Sequence, residues 1–200
     1  MEHCPERKTQ ILEKAQKRFA QYGFDKTTMQ EIADDLSMSK GALYYYFPDK
    51  EALYKAIVIQ EQEEFLQTLS CQCKRMSDPV EMLSGYAQIR FELSERLINL
   101  ARSKSMYQQN LQSFIKETME DLNSSEDQLI GKILTKGVQT GYFQIDDIDE
   151  MASLFNSLLT GMRIFFMRNK HVFLKQEDIA VYRKKVDLFL KVFCRSLQTK

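Results

Sequence analysis

The stretch of sequence that decides the fold is TTMQEIADDLSMSKGALYYYFPDKEAL, residues 27–53. Thr28 followed by Glu31 is the capping-box pattern that marks the start of a helix, and apolar residues recur after it at helical spacing. Residues 37–39, Ser-Met-Ser, interrupt that spacing with polar side chains. The first half of the stretch therefore predicts a short helix that ends in a tight polar turn.

A second short helix follows this turn. Ser39 is a suitable cap for it, and Leu43 and Phe47 lie four residues apart on one face, which we expect to point into the core. Pro48 cannot continue a helix and disfavours helical backbone at Phe47, so the helix ends there. Asp49 is then a suitable cap for a third, longer helix.

The opposite side of the second helix combines small side chains with hydroxyl and amino groups. At its front, residues 39–42 (Ser-Lys-Gly-Ala) allow the backbone to approach a partner closely, and Tyr44 and Tyr45 follow one turn later. Three consecutive tyrosines span most of the circumference of a helix, so they cannot all be buried. Lys50 opposes the dipole of the third helix, which a nearby phosphate would offset. These features predict a helix that enters the DNA major groove; the alternative is a helical hairpin with surface tyrosines.

Residues from about Thr9 to Leu53 resemble the DNA-binding domain of the TetR (tetracycline repressor-like) family of bacterial transcription regulators. The resemblance is carried by Thr27-Thr28 with Glu31-Ile32-Ala33, by residues 39–47 and by Asp49-Lys50-Glu51-Ala52-Leu53. It implies that some of these residues contact phosphates and that residues 39–42 face bases or the adjacent backbone. The DNA-binding residues that it implies are Thr27, Thr28, Ser39, Lys40, Gly41, Ala42, Tyr44, Tyr45 and Lys50.

The composition is typical of a globular protein. The chain has 200 residues, of which 44% are apolar, enough for a small module and a larger one. No apolar run reaches about 18 residues, so no membrane span is predicted. The charged N-terminus is not followed by the apolar segment of a secretory signal. We therefore expect a cytoplasmic protein that does not associate with membranes.

The net charge is neutral rather than basic, with 28 lysines and arginines against 28 acidic residues. DNA binding then depends on how the cations are arranged on one face, and Asp34 and Asp35 are expected to point away from that face. We expect modest non-specific affinity and a shallower salt dependence than a strongly basic protein shows.

The rest of the chain has helical patterns and no strand pattern, so the predicted fold is all-α. A three-helix helix-turn-helix domain is predicted at residues 1–50 and a helical regulatory domain at residues 51–200. The first helix begins between Pro5 and Thr9 and ends at Gly23; the later ones cover Lys50–Leu69, Pro79–Ala101, Lys104–Asn123, Ser125 to just before Gly141, Asp147 or Asp149 to Asn169, and Gln176–Ser196. The polar residues 60–64 predict a solvated connector between the domains.

The second domain is rich in aromatic and methionine side chains, which suit a pocket for apolar ligands as well as an ordinary helical core. The resemblance favours a pocket for a small-molecule effector. An inward-directed Arg90, Glu92 or Arg163 would orient a polar group of such a ligand. The residues predicted to line the pocket are Tyr86, Phe91, Tyr107, Phe114, Phe155 and Arg163.

The last two predicted helices carry apolar residues over more than one face, which indicates burial on two sides. Either the domain is thick, or these helices pack against a second copy, as the resemblance to TetR-like dimers implies. Two copies would hold their reading helices about one DNA turn apart and read a near-palindrome. The predicted dimer interface comprises Phe155, Leu158, Met162, Phe189 and Phe193.

Patterns for catalysis and metal binding are weak. His3 and His171 have no companions for a triad or a metal site, and no glycine-rich phosphate loop is present. Cys71 and Cys73 lack neighbouring ligands, so we expect reduced cysteines, no metal and no cofactor. The predicted function is a dimeric repressor that binds an operator in double-stranded DNA and is released by a small apolar or amphipathic effector. The alternatives are a helical protein-protein adaptor and, less favoured, an enzyme.

Overall fold

The computed structural model of the chain describes residues 4–94, 109–168 and 176–198. Within these ranges the chain forms eight α-helices and no β-strand, apart from an isolated bridge between Phe143 and Gln198. The helices are α1 (Cys4–Tyr22), α2 (Met29–Asp35), α3 (Lys40–Tyr46), α4 (Lys50–Cys73), α5 (Pro79–Ser94), α6 (Gln109–Gln139), α7 (Ile148–Arg168) and α8 (Gln176–Leu197). The prediction of an all-α fold is confirmed.

The described residues divide into two compact units. The first unit contains residues 4–64 and 109–120, and the second contains residues 65–94, 121–168 and 176–198. The first part of α4 and the start of α6 therefore belong to the N-terminal unit, whereas the predicted division was a single cut after residue 50. The start of α6 buries Leu111 and Ile115 there, and the Lys55 ammonium lies 5.4 Å from the centre of the Phe114 ring.

An aromatic cluster closes the end of α1. Gly23 has a φ of 82°, the left-handed conformation that ends a helix, and its N–H donates to the Phe19 carbonyl at 2.8 Å. The chain thereby turns back and stacks Phe24 on Phe19, with ring centres 5.8 Å apart, while the Tyr54 ring meets both edge-on at 5.1 Å. This cluster joins α1 to the start of α4 and supports the loop before α2.

The long α4 continues to Cys73, beyond the predicted end at Leu69. Its polar middle was predicted to be solvated, but Glu61 is 3% exposed and accepts a hydrogen bond from the Gln16 side chain at 3.0 Å. A carboxylate can be buried when a partner satisfies it. The partner in this case lies 45 positions away, so sequence spacing within α4 does not reveal it.

The predicted break between Asn123 and Ser125 is wrong, because α6 runs without interruption from Gln109 to Gln139. Leu122, Glu126 and Ile130 are buried one turn apart across the expected break. Asparagine and serine cost a helix interior less than about 1 kcal/mol relative to alanine, which packing of this face readily outweighs. The predicted start of this region at residue 104 lies outside the described residues.

The connection from α6 to α7 is fixed by a close contact. A Cβ on Gly137 would lie only 2.0 Å from the Phe143 ring, so this position accommodates no side chain. The Asp147 carboxylate accepts the Glu150 N–H at 2.9 Å and caps α7, as predicted. Asp78 likewise caps α5, accepting from the N–H groups of residues 80 and 81. The predicted ends of the helices at residues 101 and 169 lie outside the described ranges.

Candidate nucleic-acid interface

The turn between α2 and α3 is built from local hydrogen bonds. The Thr28 hydroxyl accepts the Glu31 N–H at 3.2 Å, and the Glu31 carboxylate accepts the Thr28 N–H at 2.8 Å, which confirms the capping box. After α2, Ser37 has a φ of 51° and the Met38 N–H donates to the Ala33 carbonyl at 3.0 Å. The left-handed Ser37 reverses the chain, at the cost that a non-glycine residue bears in this conformation.

The short α3 is anchored on one side only. Leu43 is 0% exposed and Phe47 is 4% exposed, as predicted from their spacing. The Ser39 hydroxyl oxygen accepts the Ala42 N–H at 3.1 Å, which caps α3 and leaves the hydroxyl hydrogen for another acceptor. Because the buried pair fixes the rotation of the helix, its other side faces solvent. The exposed residues on that side are Ser39, Lys40, Gly41, Ala42, Tyr44 and Tyr45.

The front of α3 is bare. No heavy atom lies within 4 Å of the place where a Cβ on Gly41 would be, so the fold itself does not require glycine there. Tyr45 is 81% exposed and Tyr44 is 42% exposed, with the Lys40 ammonium 5.8 Å from the centre of the Tyr44 ring. This surface offers a closely approachable backbone flanked by phenol hydroxyls and an ammonium group.

Thr27 and Lys50, both predicted to bind DNA, hold the loop before α2. Thr27 is 0% exposed, and its hydroxyl donates to the Gly23 carbonyl at 2.8 Å. The Lys50 ammonium donates to the carbonyls of Phe24 at 2.8 Å and Thr27 at 2.9 Å, and burial lowers the pKa of Lys50. These carbonyls offset the unfavourable position of a cation in the first turn of α4. The sequence analysis had expected a phosphate to do so. The Thr27 side chain supports the loop rather than the exposed surface.

Two of the three acidic residues of α2, Glu31 and Asp35, pair with Arg18 of α1. Arg18 donates to both carboxylate oxygens of Asp35, at 2.6 and 3.1 Å, and lies 3.3 Å from a Glu31 oxygen. The hydrogen bond from Arg18 lowers the pKa of Asp35, and hydrogen bonds from Thr28 lower the pKa of Glu31. Arg18 thus offsets negative charge close to the reading helix, which a neutral DNA-binding domain requires.

The predicted pocket residues do not all belong to one unit. Tyr86, Phe91 and Phe155 are buried in the second unit, where Arg163 is partly buried. Phe114 lies in the first unit, and Tyr107 lies outside the described residues.

A buried polar cluster lies in the second unit; of its members, the sequence analysis had named Tyr86 and Arg90 and missed Glu126, Asn156 and Thr160. Glu126, 1% exposed, accepts hydrogen bonds from the Tyr86 hydroxyl at 2.6 Å and from the Arg90 guanidinium, which also donates to the Asn156 and Thr160 side chains at 3.2 and 2.9 Å. One sequence signal was available, because Glu126 occupies an apolar stripe of α6. The cluster borders a groove of about 440 Å³ between α6 and α7 whose lining includes Asn156 and Thr160.

Two apolar stripes are exposed on α7 and α8. Of the predicted dimer residues, Leu158 is exposed, Met162 and Phe189 are partly buried, and Phe155 and Phe193 pack in the core of the protomer with ring centres 4.9 Å apart. Assigning the latter two to a dimer surface was therefore wrong. The α7–α8 stripes are defined by six exposed apolar residues that recur at helical spacing: Leu154, Leu158, Phe165, Val181, Leu188 and Val192.

Potential metal ligands are scattered over the described ranges. Among the described residues there is no group of three or more histidine, cysteine or acidic side chains placed to hold a metal ion. Cys71 is exposed, whereas burial raises the pKa of the Cys73 and Cys194 thiols. No helix within the described part of the chain is long and apolar enough to cross a membrane.

Two successive parts of this chain are similar to known protein families. Residues 11–57 match the family described as bacterial regulatory proteins, tetR family, and residues 61–195 match the QacR-like protein, C-terminal region. A transcriptional regulator from Cytophaga hutchinsonii has a similar solved structure, with a TM-score of 0.81, 30% identity and coverage of 96% of this chain and 98% of that one.

Two curated relatives come from Mycobacterium tuberculosis. The HTH-type transcriptional repressor KstR2 is 29% identical over 153 residues, which is 72% of each chain. The HTH-type transcriptional repressor Rv1474c is 36% identical over 69 residues, which covers 34% of this chain and 37% of that relative. The chain therefore belongs to the tetR family of bacterial regulatory proteins, and it is a helix-turn-helix transcriptional regulator.

Proposed function

We propose that the protein is a homodimeric repressor, acting in the bacterial cytoplasm, that reads a near-palindromic operator with α3 and is released by a small apolar or amphipathic effector bound in the second unit. The observation that carries the proposal is the bare front of α3 around Gly41, in an open position where the fold does not need a glycine. A regulator that reads DNA bases needs such close approach, whereas neither an adaptor nor an enzyme does.

Phosphate contacts flank this front. The Tyr44 and Tyr45 hydroxyls and the Thr28 cap at the start of α2 lie on exposed residues of the same unit, and hydroxyls of this kind position a protein on the DNA backbone. Lys40 is exposed in the first turn of α3. Lysine is one of the side chains that hydrogen-bond to base edges in the major groove. We infer that the tyrosines set affinity for all sequences and that Lys40 contributes to sequence preference.

The α7–α8 stripes supply a surface for a second copy. Leu154, Leu158 and Phe165 follow one face of α7, and Gly161 within that face leaves open space beside the helix. Exposed apolar rows on adjacent helices are typical of protein-protein contacts, and a small residue permits close helix approach. A two-fold dimer would present two copies of α3 to half-sites about one helical turn apart.

Release of the operator by an effector requires that the effector have different affinities for two arrangements of the dimer. A ligand weakens operator binding only if it prefers an arrangement of the dimer that the operator disfavours. The buried aromatic residues and the polar cluster of the second unit support binding of a molecule with an apolar body and a polar head. The repressor names of the mycobacterial relatives support repression as the outcome of DNA binding.

The test is operator selection followed by binding to the selected DNA. We expect the protein to enrich a near-palindrome from random duplexes and Tyr45→Phe to weaken binding to all sequences by about threefold to tenfold, through loss of one phosphate contact. Tyr142→Phe, at an exposed tyrosine of the second unit, serves as the control and should bind normally.

Lys40→Met is expected to alter which sequences are selected. If Lys40→Met instead weakens binding to all DNA sequences equally, we would assign Lys40 to a contact with the DNA backbone. Failure to enrich any duplex, with normal folding by circular dichroism, would favour the adaptor function over the regulator.

A further inference from the structure

Arg163 lies one turn after Thr160 on α7, next to the buried polar cluster of the second unit. The charged side chains of this region are Arg90, 7% exposed, Glu126, 1% exposed, Asp127, which accepts from the Asn156 amide at 2.7 Å, and Arg163, which is partly buried. Arg90 and Glu126 compensate each other as a buried ion pair. Arg163 takes no part in that pair, and a buried guanidinium nitrogen without an acceptor is costly.

The hydrogen bonds that Glu126 accepts in this cluster come from Tyr86 and Arg90. One of its carboxylate oxygens accepts from the Tyr86 hydroxyl at 2.6 Å and from the Arg90 Nε, and the other accepts from an Arg90 terminal nitrogen at 3.2 Å. The same terminal nitrogen of Arg90 also donates to the Asn156 and Thr160 side chains. These hydrogen bonds form a set around Arg90 in which Arg163 takes no part.

Arg163 makes none of these hydrogen bonds. Its Nε is buried and has no hydrogen-bond partner among residues 4–94, 109–168 and 176–198. Burial and the nearby Arg90 charge both lower the pKa of Arg163. Buried polar atoms in folded proteins are nearly always paired, so an orphaned guanidinium nitrogen needs an explanation such as a bound ligand.

An aromatic cluster lies beside this arginine. Phe166 lies three residues after Arg163 on α7, and its ring is 5.1 Å from the ring of Tyr182, which stacks on Phe91 with ring centres 4.0 Å apart. All three rings are buried. A cationic group next to packed aromatic rings suits a ligand with a charged head and an apolar body.

We propose that Arg163 binds the anionic head group of the effector, a carboxylate or a phosphate monoester, and that the apolar body of the ligand packs toward the cluster of Phe91, Phe166 and Tyr182. The inference rests on the proposed effector function and adds the chemical class of the effector. The planar guanidinium offers parallel donors to two oxygens of such a head group. The ligand would supply the acceptor that the buried Arg163 Nε lacks among the described residues.

The experiment compares four probes built on an unbranched eight-carbon chain: octanoate, octyl phosphate, octanol and octyltrimethylammonium. Binding to the full-length protein is measured by titration calorimetry. We expect at least one anionic probe to bind about tenfold or more tightly than octanol, because a charge-assisted hydrogen bond is added. Tighter binding of octanoate assigns a carboxylic acid, and tighter binding of octyl phosphate assigns a phosphate monoester.

Three variants locate the charge that is recognised. Arg163→Gln should reduce the affinity for the anionic probes to that for octanol, and Arg163→Lys should retain the preference for anions. Arg183→Gln is the control, because it removes the same charge from an exposed guanidinium of the second unit that pairs with Glu92. The control should bind the anions as the wild type does.

Several results would overturn the proposal: equal or tighter binding of octanol or octyltrimethylammonium, anion binding that survives Arg163→Gln, or no binding of either anion. If Arg163→Gln does not fold, the head-group comparison on the wild type and Arg163→Lys still decides. Operator binding is followed in parallel by fluorescence anisotropy. Anion binding at Arg163 without operator release would support this site and refute the proposed effector function. Operator release by octanol alone would support the effector function and refute anion binding at Arg163.

Discussion

At the scale of single residues, the reading helix contains a position where the fold and a DNA partner make opposite demands. Glycine inside a helix costs about 0.5–1 kcal/mol relative to alanine. Gly41 lies in the first turns of α3, and a methyl group attached to its Cα would meet no heavy atom within 4 Å, so nothing in the described part of the protomer excludes alanine. Stability alone would favour a larger residue, and close approach to DNA favours glycine.

Gly41→Ala is expected to raise the free energy of unfolding by about 0.5–1 kcal/mol. The added methyl group should at the same time weaken operator binding by about tenfold, because it prevents the closest approach of α3 to the bases. Urea unfolding and fluorescence anisotropy measure the two effects. Gly131→Ala is the control, since its added carbon would make only ordinary contacts with Ile148 at 3.9 Å. Unchanged operator affinity of Gly41→Ala would contradict the reading of bases by this surface.

Lys50 is the residue for which the contacts seen in the structure add most to the sequence prediction. Its ammonium bridges two carbonyls of the loop before α2. We expect Lys50→Met to destabilise the first unit by about 1–3 kcal/mol, because these carbonyls lose a charged donor. The slope of the logarithm of affinity against the logarithm of salt concentration should stay unchanged.

Lys40→Met provides the comparison for this test. It removes an exposed ammonium of α3 and should leave the free energy of unfolding unchanged; a salt slope reduced by about one phosphate equivalent would place Lys40 at the DNA backbone rather than at a base. A reduced salt slope with normal stability in Lys50→Met would instead return Lys50 to the phosphate contacts that the sequence implied.

At the scale of helices, α2 and α3 are each only seven residues long and depend on their ends. Isolated helices of this length are unstable in water, so caps and packing hold them. The Thr28 capping box, the Ser39 cap and the Arg18 pair with Asp35 supply these contacts. The orientation of the reading helix therefore depends on a few polar groups.

Acid should weaken this arrangement. The pKa of Asp35 is lowered by Arg18, so its contribution to stability is present above the pKa of the unfolded state, about 4, and is lost as the pH falls through the lower folded value. Asp35→Asn should cost less than about 1 kcal/mol at pH 7, and the difference from the wild type should shrink near pH 3. Urea unfolding at both pH values tests this. Asp34→Asn leaves the Arg18 pair intact and is the control; a pH-independent effect of Asp35→Asn would exclude the ion pair as its cause.

The local signals in the sequence predicted most helix starts, because capping residues act within one turn. Asp78 and Asp147 cap α5 and α7 where the sequence placed them. The continuity of α6 was not predictable in this way, since the buried face across Asn123 acts through packing. Likewise, Glu61 and Glu126 have partners 45 and 36 positions away, and no local pattern points to such partners.

The exposed front of α3 was predictable for a related reason. Leu43 and Phe47 fix the rotation of the helix by their spacing alone. Thr27 and Lys50 differ, because their buried contacts are with the loop that follows α1, whose path depends on the tertiary fold.

At the scale of the whole molecule, the regulator is expected to act only as a pair. The α7–α8 stripes expose Leu188 and Val192 at 63% each, and Phe165 at 66%. Large exposed apolar surfaces are uncommon on monomers. The sequence predicted apolar residues over more than one face of these two helices but could not tell which face stays exposed on the protomer, because both sides of each helix carry apolar residues.

Leu158→Glu is expected to convert the dimer into a folded monomer, because it places a charge at the centre of the stripe on α7. Light scattering at several protein concentrations measures the mass, and operator affinity should fall by at least about tenfold as the second half-site contact is lost. Ile59→Glu places the same charge on an exposed isoleucine of α4 and should remain dimeric. If Leu158→Glu remains dimeric, the dimer interface lies elsewhere than on the α7–α8 stripes.

The start of α6 has a consequence for building chimaeric regulators. Leu111 and Ile115 are buried in the same unit as α1, α2 and α3. A graft that exchanges everything before residue 50 cuts through this unit, which also contains residues 50–64 and 109–120, and cavities or clashes in a core cost several kcal/mol. An exchange designed to give a new operator specificity should therefore carry matched residues from α6, or alter only the exposed positions of α3.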